Sequence, residues 1–163
     1  WTKVQGGLYK EMNYKKIYSQ AIKTVLGGRK GVVLRQFTES ADGKDLLTFD
    51  NYGLFFIPKE LNIFAEHVGT SLSAHDVCKF IPKKDTVLTN LRPTSTVIGK
   101  KPCGRVLENP DGSEYPYLLD DSYFGYFDHD AEIKVDLTAK TSVFYIFEND
   151  KLVCVVAPIR RKK

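Results

Sequence analysis

The chain has little to support secretion, membrane insertion or disulfide chemistry. Its 163 residues hold three cysteines, one methionine and one tryptophan. Cys78, Cys103 and Cys154 lie far apart, with no CxxC pair, which excludes a zinc site of that spacing. Their odd number predicts free thiols in a reducing, cytoplasmic compartment. No stretch approaches the ~18–20 apolar residues of a membrane span. The opening Trp1-Thr2-Lys3 lacks an apolar signal-peptide core. It also lacks an initiator methionine, so the sequence reads either as a piece of a longer chain or as a protein starting at Met12 behind an upstream extension. Internal repeats, low-complexity tracts and Gly/Ser linkers are missing. So are the GxxxxGK[ST] phosphate loop and the 12-residue calcium loop with its central glycine. With no catalytic signature in view, the expectation is a binding module, not an enzyme, with no cofactor and no resident metal.

What is present suits one ordered domain spanning residues 1–163. Hydrophobic residues make up 42% and charged residues 27%, an ordinary globular balance, and a chain of this length buries a core without staples. The net charge is +4, unevenly spread. Lys3, Lys10, Lys15, Lys16, Lys23, Arg29 and Lys30 face only Glu11 in the first thirty residues. Residues 108–136 are rich in Asp and Glu and hold one base, Lys134, and the chain ends Arg160-Arg161-Lys162-Lys163. One basic end and one acidic stretch predict a polyanion-facing side and a partner-facing side.

The strongest helical pattern runs from Asn13, a candidate N-cap, to Leu26. Tyr14, Ile17, Tyr18, Ala21, Val25 and Leu26 are the expected buried stripe, with Lys16, Gln20 and Lys23 on the opposite side. Gly27-Gly28 stops it. A three-stranded meander follows: 32–37, 45–50 after the Ala41-Asp42-Gly43-Lys44 turn, and 54–57 after Asn51-Tyr52-Gly53. Residues 59–114 are poorly assigned and could be an insertion: 61–68 is strand or short helix, and 77–81, 86–91 and 96–98 are candidate strands. Residues 108–114 form a turn. A second short helix is expected over 117–127. Ile133, Val135 and Leu137 alternate with polar residues, and 142–147 pairs with 152–156 as a hairpin. The fold class is therefore α+β, a mostly antiparallel sheet with two helices.

Several constellations invite chemistry. Asp120, Asp121, Asp128, His129 and Asp130 could hold Mg²⁺ or Ca²⁺, but their spacing fits a solvated helix end better. Gly27-Gly28-Arg29-Lys30-Gly31 could cradle a phosphate, yet it follows a helix and reads as its stop. His75 and Cys78 are three residues apart, on opposite faces of a strand. The cluster Tyr117, Tyr123, Phe124, Tyr126 and Phe127 could bind a protein partner, with core packing the plainer alternative.

The order of elements resembles the terminal domain of a bacterial-type DNA polymerase sliding clamp, the processivity factor of DNA replication. The residues that carry this are the closing strand Leu152-Val153-Cys154-Val155-Val156-Ala157-Pro158-Ile159-Arg160, with its Pro, apolar residue and Arg; the strand 142–147 before it; the Leu- and Tyr-rich 117–127; and Phe49-Asp50 ending a meander strand. The likeness covers residues 13–58 and 115–160. It implies a DNA-clamp-like fold, of phage or mobile-element type, in which helices line a hole and lysines meet the phosphates of double-stranded DNA without reading sequence. The residues matched to that role are Lys15, Lys16, Lys23, Arg29 and Lys30. About six such domains complete a ring, so an oligomer is implied if a ring forms. Asp120, Asp121 and Asp128 depart from the pattern, because a second helix carrying them would repel phosphate. The alternative is a protein-binding domain that uses the acidic aromatic segment and has no DNA role.

Overall fold

The computed structural model describes residues 12–27, 32–37, 44–64, 70–71, 81–140 and 142–161. Asn13 starts the helix as its sequence predicts: its side-chain Oδ1 accepts the Lys16 N–H at 3.1 Å. Helix α1 runs Tyr14–Gly27, and Gly27 closes it at φ 135°. Its buried side is narrower than the expected stripe. Ile17 and Ala21 are buried, and Thr24 donates to the Phe49 carbonyl at 3.1 Å. Val25 is exposed, and Leu26 is 81% exposed. At 3.6 residues per turn Ile17, Ala21 and Thr24 share one line, and Leu26 falls nearly opposite it. Lys16, Gln20 and Lys23 consequently flank the buried line instead of opposing it.

Among the described residues eleven strands follow: β1 Arg35–Phe37, β2 Lys44–Thr48, β3 Gly53–Pro58, β4 Thr70–Ser71, β5 Thr89–Ile98, β6 Gly104–Glu108, β7 Tyr117–Asp120, β8 Glu132–Val135, β9 Phe144–Glu148, β10 Lys151–Val156 and β11 Ile159–Arg160. They form one sheet in the order β11-β7-β6-β5-β8-β9-β10-β3-β2-β1-β4. Every pairing is antiparallel except β1 with β4. The meander β1-β2-β3 and the hairpin β9-β10 stand where the sequence predicts them. The hairpin turns on Asn149 and Asp150, both at positive φ (49° and 61°), the backbone a two-residue loop between twisted strands demands.

Three expectations fail for tertiary reasons. Segment 117–127 is not an α-helix but strand β7 followed by a 3-10 turn, Asp121–Gly125. Residues 117–120 are claimed on one side by β6 (Arg105 opposite Leu119) and on the other by β11 (Ile159 opposite Leu118). The described residues therefore hold one α-helix, not two. The candidate strands 86–91 and 96–98 are one strand, β5, running through Pro93. Pro93 is tolerated because β8 pairs only with Thr89, Asn90 and Leu91, and because the β5–β6 register shifts between Pro93 and Val97. Leu137, expected to continue the buried alternation of Ile133 and Val135, is exposed beyond the end of β8. Of the expected elements 77–81 and 61–68, residues 77–80 and 65–68 lie outside the described residues.

Strand alternation separates two apolar clusters. Leu47, Phe55, Ile57, Phe144 and Ile146 join Ile17 and Ala21 on one face of the sheet. Leu46, Leu54, Phe56, Tyr145 and Val155 gather on the other.

The sheet is curled, and a reach argument requires it. Only Ala157 and Pro158 join β10, in the middle of the order, to β11, at one end. In a flat sheet six strand spacings of about 4.8 Å would separate them, about 29 Å. The connecting residues span about 11 Å at most. The β7 edge must therefore roll back towards β10 and β3. A contact across the roll bears this out: the Tyr123 hydroxyl, just past β7, donates to Asp50, just before β3.

Candidate functional site: a lysine-rimmed groove

The roll leaves a groove of about 970 Å³ between α1, the β2–β3 turn, the β5–β6 turn and the β10–β11 link. Lys16, Gln20, Lys23 and Thr24 form its helical wall. Lys101, Pro102 and Cys103 come from the β5–β6 turn. Asp50 and Tyr52, with Asp120, Asp121, Ser122 and Tyr126, add to the lining, as do Val32, Phe49, Ala157, Pro158 and Ile159.

The three carboxylates are bound to neighbours within the protein. Asp50 Oδ1 accepts the N–H groups of Tyr52 (2.9 Å) and Gly53 (3.0 Å), while its Oδ2 takes the Tyr123 hydroxyl. Asp120 caps the 3-10 turn, accepting from Ser122 N (3.0 Å) and Oγ (2.7 Å). Asp121 Oδ1 is held by Arg105 through Nε at 2.8 Å and Nη2 at 2.6 Å, a charge-assisted fork. Arg105 also donates from Nη1 to the Thr94 carbonyl at 3.0 Å. Among the described residues no carboxylate forms an ion pair with Lys16, Lys23 or Lys101. Lys16 Nζ lies 5.0 Å from the centre of the Tyr126 ring, a cation–π contact. Burial, and then the charge of Asp50, push the Tyr126 hydroxyl up to about 12. The same two causes, in the same order, hold Tyr123 far above the usual tyrosine range. Both phenols are neutral at physiological pH.

The sequence-derived residues divide. Lys16 and Lys23 line the groove. Lys15 is exposed on the far side of α1, about 200° around the helix from Ile17. Arg29 and Lys30 lie outside the described residues, as do His75, Cys78 and Gly28–Gly31. The aromatic set is mostly core: Tyr123 is 1% exposed, and Tyr126 and Phe127 are also buried. Those three rings cannot present a docking surface, because they pack under the sheet, with Tyr123 stacked on Phe55 at 5.9 Å between centroids. Tyr117 and Phe124 are half-buried; Tyr117 leans on Tyr115 and Phe124 lies under Arg105. The five residues considered for a metal are split. Asp120 and Asp121 enter the groove, while Asp128, His129 and Asp130 sit together on the turn before β8. There the two ring nitrogens of His129 lie 2.8 Å from Asp128 and 3.2 Å from Asp130.

Sequence reasoning missed Tyr52, Lys101, Pro102 and Cys103. The only signals were an aromatic residue inside a turn, Asn51-Tyr52-Gly53, and a pair of lysines in a Gly- and Pro-bounded turn, Gly99-Lys100-Lys101-Pro102. No helix among the described residues is long and apolar enough to cross a membrane. No family model, curated protein or solved structure matches the chain.

Proposed function

We propose that the chain is a non-catalytic DNA-associated module that holds its polyanion along the groove between α1 and the β5–β6 turn. One observation carries the reading. Lys16, Lys23 and Lys101, from elements some 80 residues apart in the chain, line a single groove whose carboxylates are already bonded within the fold. Lysines that no described carboxylate pairs with, facing one groove, are an electrostatic footprint for phosphates, and such binding needs no reacting side chain. The part of the sliding-clamp resemblance that rests on the meander and the closing strands supports DNA as the polyanion; the part that rested on 117–127 as a second helix is gone. The single α-helix among the described residues favours groove binding over encirclement by paired helices. Burial of Tyr123, Tyr126 and Phe127 weakens the competing reading of a protein-binding aromatic surface.

The test is binding of labelled DNA at several salt concentrations. Each lysine–phosphate contact contributes a slope of about −0.7 to −0.9 in log K against log salt. Lys23→Glu with Lys101→Glu, both exposed and without a packing role, should weaken binding at least tenfold and flatten that slope by about one to two. Lys15→Glu, on the far side of α1, should change affinity little. Equal losses from both variants, or binding that ignores salt, would remove the groove from the account.

A further inference from the structure

The groove contains a ring that the lysines do not explain. Tyr52 is 60% exposed and lines the groove beside Pro102 and Pro158. Exposed tyrosines are common, but this one has an unusually fixed backbone. Its N–H is held by Asp50 at 2.9 Å and its carbonyl takes the Ala157 N–H at 2.7 Å. Asn51 before it sits at φ 64°, in the left-handed region. Gly53 after it is also bonded to Asp50, and lies so close under Tyr123 that a methyl group there would meet the ring at 2.3 Å. Asp50 is itself held by the Tyr123 hydroxyl. The turn is thus held by Asp50, Ala157 and the close approach of Tyr123, while Tyr52 stays exposed in a groove that Lys16, Lys23 and Lys101 also line.

From this we infer that the groove takes an unpaired nucleic-acid strand, with a base stacked on Tyr52 and its flanking phosphates met by Lys23 and Lys101. The inference rests on the DNA-associated reading above and narrows it from DNA in general to single strands. A base stacked inside a duplex offers no free face to a protein ring, whereas an unpaired base does, and aromatic platforms flanked by positive charge are how proteins hold single strands without reading sequence. The size agrees: about 970 Å³ suits a few ligand units of the kind that fill pockets of roughly 300–1,000 Å³, and not a double helix. A rigid platform also reduces the ordering that binding requires.

The experiment compares three probes on the whole chain: a short labelled oligothymidylate, an abasic strand of the same length, and a duplex. Oligothymidylate should bind most tightly. Tyr52→Ala should weaken it about five- to 150-fold, the range for loss of one stacked base, and Tyr52→Phe should restore most of that. Against the abasic strand Tyr52→Ala should have no effect, while Lys23→Glu with Lys101→Glu should weaken both strands. Because the Tyr52 side chain is exposed, Tyr52→Ala should leave the melting temperature unchanged, and the binding assay then reads binding alone. A preference for duplex, or Tyr52→Ala acting equally on the abasic strand, would overturn the single-strand inference and leave DNA association standing. Polyglutamate competing as well as oligothymidylate would overturn both in favour of an acidic protein segment.

Discussion

Asp50 shows how one side chain organises the groove. Its carboxylate gathers two backbone donors of the β2–β3 turn and the Tyr123 hydroxyl, so the turn, the 3-10 segment and the rolled sheet edge share one anchor. The same charge disfavours ionisation of the two tyrosines near it, and burial acts in the same direction with greater weight. This has a consequence at high pH. In the unfolded chain Tyr126 loses its proton near pH 10, whereas in the folded protein it keeps it up to about 12. Between those values the folded state binds more protons than the unfolded one, so stability is complete below about pH 10 and declines as pH rises towards 12. Tyr126→Phe, which retains the ring under Lys16, should flatten part of that decline. Urea unfolding at about pH 9, 10 and 11 measures it. A wild-type decline that the variant reproduces in full would assign it to other groups.

At the scale of elements, the lesson lies in α1, β5 and β7. The helix was legible from its period and its cap, but its orientation was not. Seven apolar positions on α1 allowed more than one face to be the buried one, and the choice fell to Ile17, Ala21 and Thr24 because those pack on Phe49 and its neighbours. That choice brought Lys16 and Lys23 into a groove wall. The run Tyr117-Leu118-Leu119-Asp120 has no propensity that excludes either helix or strand, and pairing partners far away in sequence decided it. Where an element is fixed by such close approach, substitution should show it. Gly53→Ala would drive a methyl group into Tyr123, whose ring is stacked on Phe55 and tied by its hydroxyl, so the ring has little room to yield. The expected loss is about 1–3 kcal/mol, seen as a lower melting temperature by circular dichroism. An unchanged melting temperature would mean that the roll of the sheet is looser than these contacts imply.

For the molecule as a whole, the curl is the decisive feature, because it makes the groove out of segments that are distant in the chain. Groove binding needs no second copy, so a monomer suffices for it. Light scattering coupled to gel filtration should give the mass of a single chain, 18.5 kDa, with and without a short oligonucleotide. A closed assembly near six domains would instead favour encirclement and return weight to the clamp-like reading.

The sequence by itself determined the α+β class, the helix with its Asn13 cap and glycine stop, the meander and the final hairpin. Each of these is written in local periodicity, turn chemistry or β-branched runs, which act over a few residues. It also marked Lys16 and Lys23 as worth attention. Only the tertiary structure decided that Tyr123, Tyr126 and Phe127 are core, that 117–120 is a strand, and that Tyr52 and Lys101 share a groove with α1. Those outcomes depend on strand pairings across 40 or more residues (Ile159 with Leu118) and on a two-residue link too short for a flat sheet, and neither constraint leaves a trace in any local window of the sequence.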